Sequence, residues 1–165
     1  MNKIKTYIIL FLSSGFGSGY LPFAPGTWGS AVMTVISWWL LNLSIVWYLT
    51  IAAAVFLLGI LIVPEADSYW RPILGKDRDN RPIVIDEWLG MLITYLPLFY
   101  FGKSLFNLLI GFLLFRFFDV FKFGLALSAN KIKNKWGIMF DDFFAGLYSA
   151  LVLFIILGLV EYFSK

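Results

Sequence analysis

The chain has 165 residues, of which 61% are hydrophobic, 20% aromatic and 14% charged, with a formal net charge of +3 and a mean hydropathy of +0.85. Soluble domains carry about 25% charged residues, so this composition excludes a soluble monomer, a disordered chain and a nucleic-acid-binding tail, and it predicts a small integral membrane protein. Neither cysteine nor histidine occurs. Disulfides, thiolate or imidazole metal ligands and a Ser-His triad are therefore excluded, and any chemistry rests on carboxylates, Lys/Arg, hydroxyls and backbone amides.

The N-terminal half predicts an interfacial segment followed by a helical hairpin. Residues 1–20 combine Lys3 and Lys5 with a short apolar run and lack a cleavage site, so we expect them to be retained at the membrane interface. No charged side chain occurs between Thr6 and Pro64. This stretch is long enough for two membrane-embedded helices, at 28–41 and 45–63.

The C-terminal half repeats the pattern and adds one more helix. A loop at 64–85 is followed by a second hairpin, 88–102 and 104–118, then by a loop at 119–140 and a last helix from Phe143 to about Phe163. The fold class is therefore all-α: a single domain over residues 1–165 with about four to five membrane-embedded helices.

The basic residues orient these helices. With both hairpins turning on the outer side, eleven of the thirteen Lys and Arg residues lie on the cytoplasmic side, and only Lys103 and Lys165 lie outside. We expect a multi-pass membrane protein in this orientation. The polar segments then converge at the cytoplasmic rim.

Two pairs of acids precede apolar helices at this rim: Asp86 with Glu87, and Asp141 with Asp142. One interpretation is helix capping, which stabilises by about 0.3–1 kcal/mol. With Asp119, however, five carboxylates share one face, and clustered like charges are costly without a cation. Oxygen ligands without His or Cys favour Mg²⁺, Mn²⁺ or Ca²⁺, so we favour a divalent-cation site.

Basic and backbone groups complete the predicted site. Arg116, Asp119 and Lys122 share a helix face at i, i+3 and i+6; the alternative to phosphate binding is a surface ion-pair ladder. The segment containing Pro25, Gly26 and Thr27 predicts a loop that opens a helix with Thr27 as N-cap. Free amides at such a position bind anions.

Four blocks of the sequence resemble the phosphatidylglycerophosphatase A family. They are GSGYLPFAPGTWGS at 17–30, IVIDEWLGM at 83–91, FRFFDVFK at 115–122 and GIMFDDFFAG at 137–146. The family's usual proline after Lys122 is Phe123 here. The resemblance implies an all-α, Mg²⁺-dependent enzyme of the cytoplasmic (inner) membrane of a bacterium. It would remove the terminal phosphate of phosphatidylglycerol phosphate at the cytoplasmic side.

The resulting hypothesis assigns two groups of residues. Asp86, Glu87, Asp119, Asp141 and Asp142 hold one or two Mg²⁺ ions, and one carboxylate accepts the proton of the attacking water; a covalent aspartate stays open. Pro25, Gly26, Thr27, Arg116 and Lys122 form the phosphate site. The alternatives are another metal-dependent lipid-headgroup enzyme, such as a CDP-alcohol phosphotransferase, and a small cation transporter or channel.

Overall fold

A computed structural model describes residues 3–75, 81–130 and 135–164, and the regular structure of these residues is entirely helical. The all-α prediction is therefore confirmed for them. Among the described residues, a 3₁₀ turn at Ser18–Tyr20 separates the first two of eight helices. These are α1 (Lys3–Ser13), α2 (Pro25–Leu40), α3 (Ile45–Leu74), α4 (Ile85–Thr94), α5 (Leu98–Phe101), α6 (Leu105–Phe121), α7 (Gly124–Asn130) and α8 (Lys135–Phe163).

In the part of the chain that the structure describes, two helices are long and apolar enough to cross a membrane: α3 (Ile45–Leu74) and the stretch Gly137–Phe163 of α8. The 16 residues of α2 and the 17 of α6 reach only about 24–26 Å, short of the ~30 Å hydrocarbon core. The structure therefore supports a helical membrane protein with two candidate spans, fewer than the four to five embedded helices expected.

The boundaries of the first hairpin differ from the prediction. Because α2 begins at Pro25, Ala24 is the N-cap and Thr27 lies inside the first turn, so the prediction of Thr27 as N-cap is wrong. Helix α3 continues through Pro64 to Leu74 instead of ending at 63. Its polar extension is stabilised by ion pairs, including one between Lys5 Nζ on α1 and Glu65 Oε1 at 2.9 Å.

The predicted loop at 119–140 is largely helical. It contains the end of α6, all of α7 and the start of α8; residues 131–134 lie outside the described residues, as do 76–80 of the predicted loop at 64–85. Because α8 begins at Lys135, Asp141 and Asp142 are its seventh and eighth residues. Capping is therefore the wrong interpretation for this pair.

The turns of the two predicted hairpins meet. Lys103 Nζ, after α5, donates to Trp38 O at 2.7 Å and to Asn42 Oδ1 at 2.6 Å, beside the α2–α3 turn. The hairpins therefore lie side by side with their turns at one end, as the sequence predicted. The interfacial position of residues 1–20 stays a prediction, although α1 has Ile9 and Leu10 buried and Ile4, Tyr7, Ile8 and Phe11 exposed.

Helix α4 is the centre of the bundle. Trp88 to Thr94 are all buried, and α4 packs against α2, α3, α6 and α8. Its closest approach is to α8: a Cβ added to Gly146 would lie 2.5 Å from Gly90 O and 3.1 Å from Ile93 Cβ. Glycine is therefore required for α4 and α8 to cross at this distance.

The crossing predicts different effects for two glycines of α8. Gly146→Ala should destabilise the protein by about 1–3 kcal/mol, because the new methyl group meets the backbone of α4. In the control variant, Gly158→Ala, the new methyl would find Phe101 Cζ at an ordinary 3.8 Å. The thermal midpoint in detergent should fall for Gly146→Ala and should be unchanged or higher for Gly158→Ala. Equal changes in the two variants would contradict the close crossing.

Candidate active site

A polar cavity of about 460 Å³ lies where α2, α3, α4, α6 and α8 meet. It is near one end of both candidate spans, since Asp67 belongs to the last third of α3 and Asp141 and Asp142 to the start of α8. The described residues that line it are Ala24, Gly26, Asp67, Arg81, Ile83, Asp86, Glu87, Arg116, Asp119, Val120, Phe121, Lys122, Ile138, Asp141 and Asp142.

The crossing of α4 and α8 brings the two acid pairs together. Asp86 precedes Gly90 by four residues and Asp142 precedes Gly146 by four, so both lie one helical turn before the contact. A Cβ on Gly90 would also lie 2.9 Å from Asp142 O. Two acid pairs 55 residues apart in the chain thereby face the same cavity.

Three of these carboxylates have the arrangement of a cation site. Asp86, Glu87 and Asp142 each offer an oxygen atom, and the three atoms lie within 4.8 Å of one another. Asp86 Oδ1 and Glu87 Oε2 are buried and have no hydrogen-bond partner within the described part of the chain. Buried carboxylate oxygens without donors are costly, and a hard divalent cation would satisfy them. The residues therefore fit Mg²⁺.

The charge balance of the cavity favours the same conclusion. Among its described lining residues, six carboxylates face three basic side chains, an excess of three negative charges when all are ionised. Burial raises the pKa of Asp86. Burial raises the pKa of Glu87 even further above its ordinary value, with repulsion from Asp86 as the next cause. Burial and mutual repulsion thus disfavour the ionised carboxylates, which a cation would stabilise.

Helix α6 supplies the basic side of the cavity. Arg116 Nη1 donates to Asp119 Oδ2 at 2.6 Å, and Lys122 Nζ donates to Asp141 Oδ2 at 2.6 Å. Lys122 Nζ also lies 3.7 Å from Asp119 Oδ1 and 3.8 Å from Asp142 Oδ1. Burial lowers the pKa of Lys122, but the carboxylates of Asp142, Asp141 and Asp119 outweigh it and the net shift is upward. Lys122 is therefore charged and held among the acids.

The start of α2 closes the cavity beside Glu87. A Cβ on Gly26 would lie 2.2 Å from Glu87 Oε1 and 3.3 Å from Arg116 Nη1, so a side chain here would displace both groups. Pro25 and Thr27 are not among the described lining residues, and the Thr27 N–H already donates to Ala24 O at 2.9 Å. Of the predicted segment 25–27, only Gly26 reaches the cavity.

The sequence reasoning missed two charged residues that line the cavity, Asp67 and Arg81, because it placed both in the loop at 64–85. Arg81, only 2% exposed, donates through Nη1 to Asp67 Oδ1 and through Nη2 to Gly75 O at 2.8 Å. Arg71 donates to the other oxygen of Asp67 at 2.5 Å. The i, i+4 spacing of Asp67 and Arg71 was the available signal that the helix continues past Pro64.

Comparison with known proteins relates this chain to one family. The family model described as Phosphatidylglycerophosphatase A matches residues 11–157. No solved structure matches the chain.

Three bacterial relatives are similar over most of their length. A phosphatidylglycerophosphatase A of Haemophilus influenzae is 36% identical over 161 residues, 94% of each chain. A phosphatidylglycerophosphatase A of Escherichia coli is 35% identical over 146 residues, which are 88% of this chain and 81% of the relative. A protein of Bacteroides thetaiotaomicron named as a putative phosphatidylinositol-3-phosphatase is 31% identical over 159 residues, 92% of this chain and 94% of the relative.

The two arginines bound to Asp67 should differ in their contribution to stability. Arg81→Met leaves the buried carboxylate of Asp67 poorly compensated and should cost about 3–5 kcal/mol. Arg71→Met removes a side chain that is 59% exposed and should cost less than about 1 kcal/mol. The two losses are compared through the thermal midpoints of both variants in detergent. Equal losses would contradict the buried pair, and the double variant Asp67→Leu/Arg81→Met should recover most of the loss.

Proposed function

The chain belongs to the phosphatidylglycerophosphatase A family and is a phosphoric monoester hydrolase, and we propose that its site hydrolyses the terminal phosphomonoester of phosphatidylglycerol phosphate with the help of Mg²⁺. The observation that carries this proposal is the shared cavity of the acids of α4 and α8 and the bases of α6. Metal-assisted hydrolysis of a phosphomonoester needs cationic groups that bind the phosphoryl oxygens. It also needs carboxylates that hold the metal ion and accept a proton.

The carboxylates divide by their contacts. Asp86, Glu87 and Asp142 would hold Mg²⁺, because one oxygen of each converges with the others and because Asp86 and Glu87 each have a buried oxygen without a hydrogen-bond partner in the described part of the chain. When bound, the cation supplies positive charge that offsets the carboxylates and polarises the phosphoryl oxygens. Asp119 and Asp141 bind Arg116 and Lys122 and so orient these two bases toward the cavity.

The bases bind the phosphoryl group. Arg116 uses one N–H for Asp119, and its planar guanidinium has further donors for a pair of phosphoryl oxygens. Lys122 adds a point charge with three N–H donors, one of which Asp141 accepts. Gly26 lets the start of α2 approach, so its backbone borders the bound phosphate. One carboxylate of the cluster accepts the proton of the attacking water, with direct attack by an aspartate as the alternative.

The position of the acids argues against a cation channel or transporter. Such proteins carry their ionisable residues near the middle of the membrane. Here Asp142 is the sixth residue of a 27-residue candidate span, and Asp86 and Glu87 lie in the first turn of α4. The acids thus lie near the ends of helices, where a headgroup can reach them.

We further propose that the cavity faces the cytoplasm from a bacterial inner membrane, with four to five helices embedded. The excess of basic residues on the predicted cytoplasmic side supports this orientation. The two hairpin turns meet at Lys103, at the end of the bundle away from the cavity, and this supports placing that end on the outer side.

Phosphate release from purified protein in detergent micelles tests the substrate. With Mg²⁺ present, phosphatidylglycerol phosphate should be hydrolysed faster than phosphatidic acid or phosphatidylinositol 3-phosphate. The third lipid is included because one relative is named for a phosphatidylinositol-3-phosphatase activity. No release, or preferential release from either comparison lipid, would contradict the proposed substrate.

The carboxylate assignment predicts a large effect from a small change. Asp142→Asn removes one negative charge while keeping the size of the side chain, and kcat/KM should fall on the order of 10²-fold or more. Glu65→Gln is the control variant, since Glu65 pairs with Lys5 and does not line the cavity. Thermal midpoints of both variants check folding. If kcat/KM of Asp142→Asn stayed within a few-fold of the value for the unaltered protein, the assignment of Asp142 as a cation ligand would be contradicted.

A further inference from the structure

Backbone strain is concentrated at the edges of the cavity. Within the described residues, four non-glycine positions have positive φ. Two of them line the cavity, Ala24 at 47° and Lys122 at 35°, and a third, Phe23 at 58°, directly precedes Ala24. This region is unfavourable for residues with a Cβ atom, and such strain persists where function requires a particular side-chain placement. The two strained segments, 22–24 and 120–123, therefore call for a functional explanation.

Each strained segment sends one group inward and leaves an aromatic ring outside. Ala24 lines the cavity, while Phe23 before it is 91% exposed. Lys122 reaches inward to Asp141, while Phe121 before it lines the cavity mouth and is still 61% exposed. Exposed Val120 lies beside Phe121. Two of the segments that contribute lining residues to this charged cavity thus also carry exposed apolar side chains.

We infer that Phe23, Val120 and Phe121 form a lipid portal, at which the diacylglycerol part of the substrate lies while its phosphorylated headgroup enters the cavity. The inference rests on the proposed function, because it takes the substrate to be a lipid phosphomonoester. A cavity of about 460 Å³ has the size of a site for one small ligand. Two long acyl chains must therefore stay outside, in contact with whatever borders the mouth.

Proximity to the phosphate-binding bases distinguishes this surface from other exposed apolar faces. Phe121 is adjacent to Lys122 and lies in the same α6 segment as Arg116, so one stretch of helix presents both a phosphate site and an apolar contact. Phe106 is equally apolar and 65% exposed, but it lies at the opposite end of α6 and does not line the cavity. It provides a matched control on the same helix.

Kinetics with two chain lengths test the portal. Phe23→Ser and Phe121→Ser should lower the ratio of kcat/KM for dipalmitoyl over dihexanoyl phosphatidylglycerol phosphate by about tenfold, mainly through KM, because only long chains extend across the rings. Phe106→Ser should leave the ratio unchanged. A ratio unchanged in the first two variants, or lowered equally by Phe106→Ser, would overturn the portal.

A binding measurement separates the portal from the proposed activity. Because the chain has no cysteine, the single variants Phe23→Cys, Phe121→Cys and Phe106→Cys can each be labelled with bimane and titrated with dipalmitoyl phosphatidylglycerol in detergent. The emission maximum of bimane should shift and saturate with lipid concentration when the label is at position 23 or 121, but not when it is at 106. A saturable shift without any hydrolysis would support the portal and contradict the proposed function alone. No shift at 23 and 121, or one that follows protein concentration as for a second copy of the chain, would overturn the portal.

Discussion

The close crossing of α4 and α8 is the contact on which the rest of the cavity depends. At Gly90 and Gly146 the two backbones approach so closely that a single added methyl group would overlap the facing helix. Because the acid pairs lie one turn before these glycines, the crossing fixes Asp86 and Asp142 opposite each other. A wider crossing would separate the acids, lower their mutual repulsion and at the same time remove the convergence that the proposed cation needs.

That convergence carries an electrostatic cost, which the surrounding helices reduce only in part. Arg116 and Lys122 from α6 compensate Asp119 and Asp141, and Arg81 compensates Asp67. None of these bases donates a hydrogen bond to Asp86 Oδ1 or Glu87 Oε2, which have no partner among the described residues. The two oxygens without donors belong to Asp86 and Glu87, whose carboxylates converge with that of Asp142, and a divalent cation would stabilise them there. The proposed phosphate would add to the cation's ligands and bind the bases at the same time.

Much of this site could be predicted from the sequence, because charged residues in a 61% hydrophobic chain are few and helical hairpins return them to one end. Topology alone placed Asp86, Glu87 and the acids of α8 near Arg116 and Lys122. The contribution of Arg81 was missed, because the helix was predicted to end at 63, with the apolar run, whereas it continues to Leu74 and carries Asp67. The role of the glycines was also hidden: a close crossing depends on two residues that are distant in sequence and belong to different helices.

The most direct test of the proposed cation site is binding rather than turnover. Mn²⁺, a paramagnetic ion with the same preference for oxygen ligands, can be titrated into the purified protein and followed by electron paramagnetic resonance. We expect saturable Mn²⁺ binding that Mg²⁺ displaces and that is lost in Asp86→Asn and Asp142→Asn but retained in Glu65→Gln. Equal Mn²⁺ affinity in the unaltered protein and in Asp142→Asn would contradict a cation held between α4 and α8.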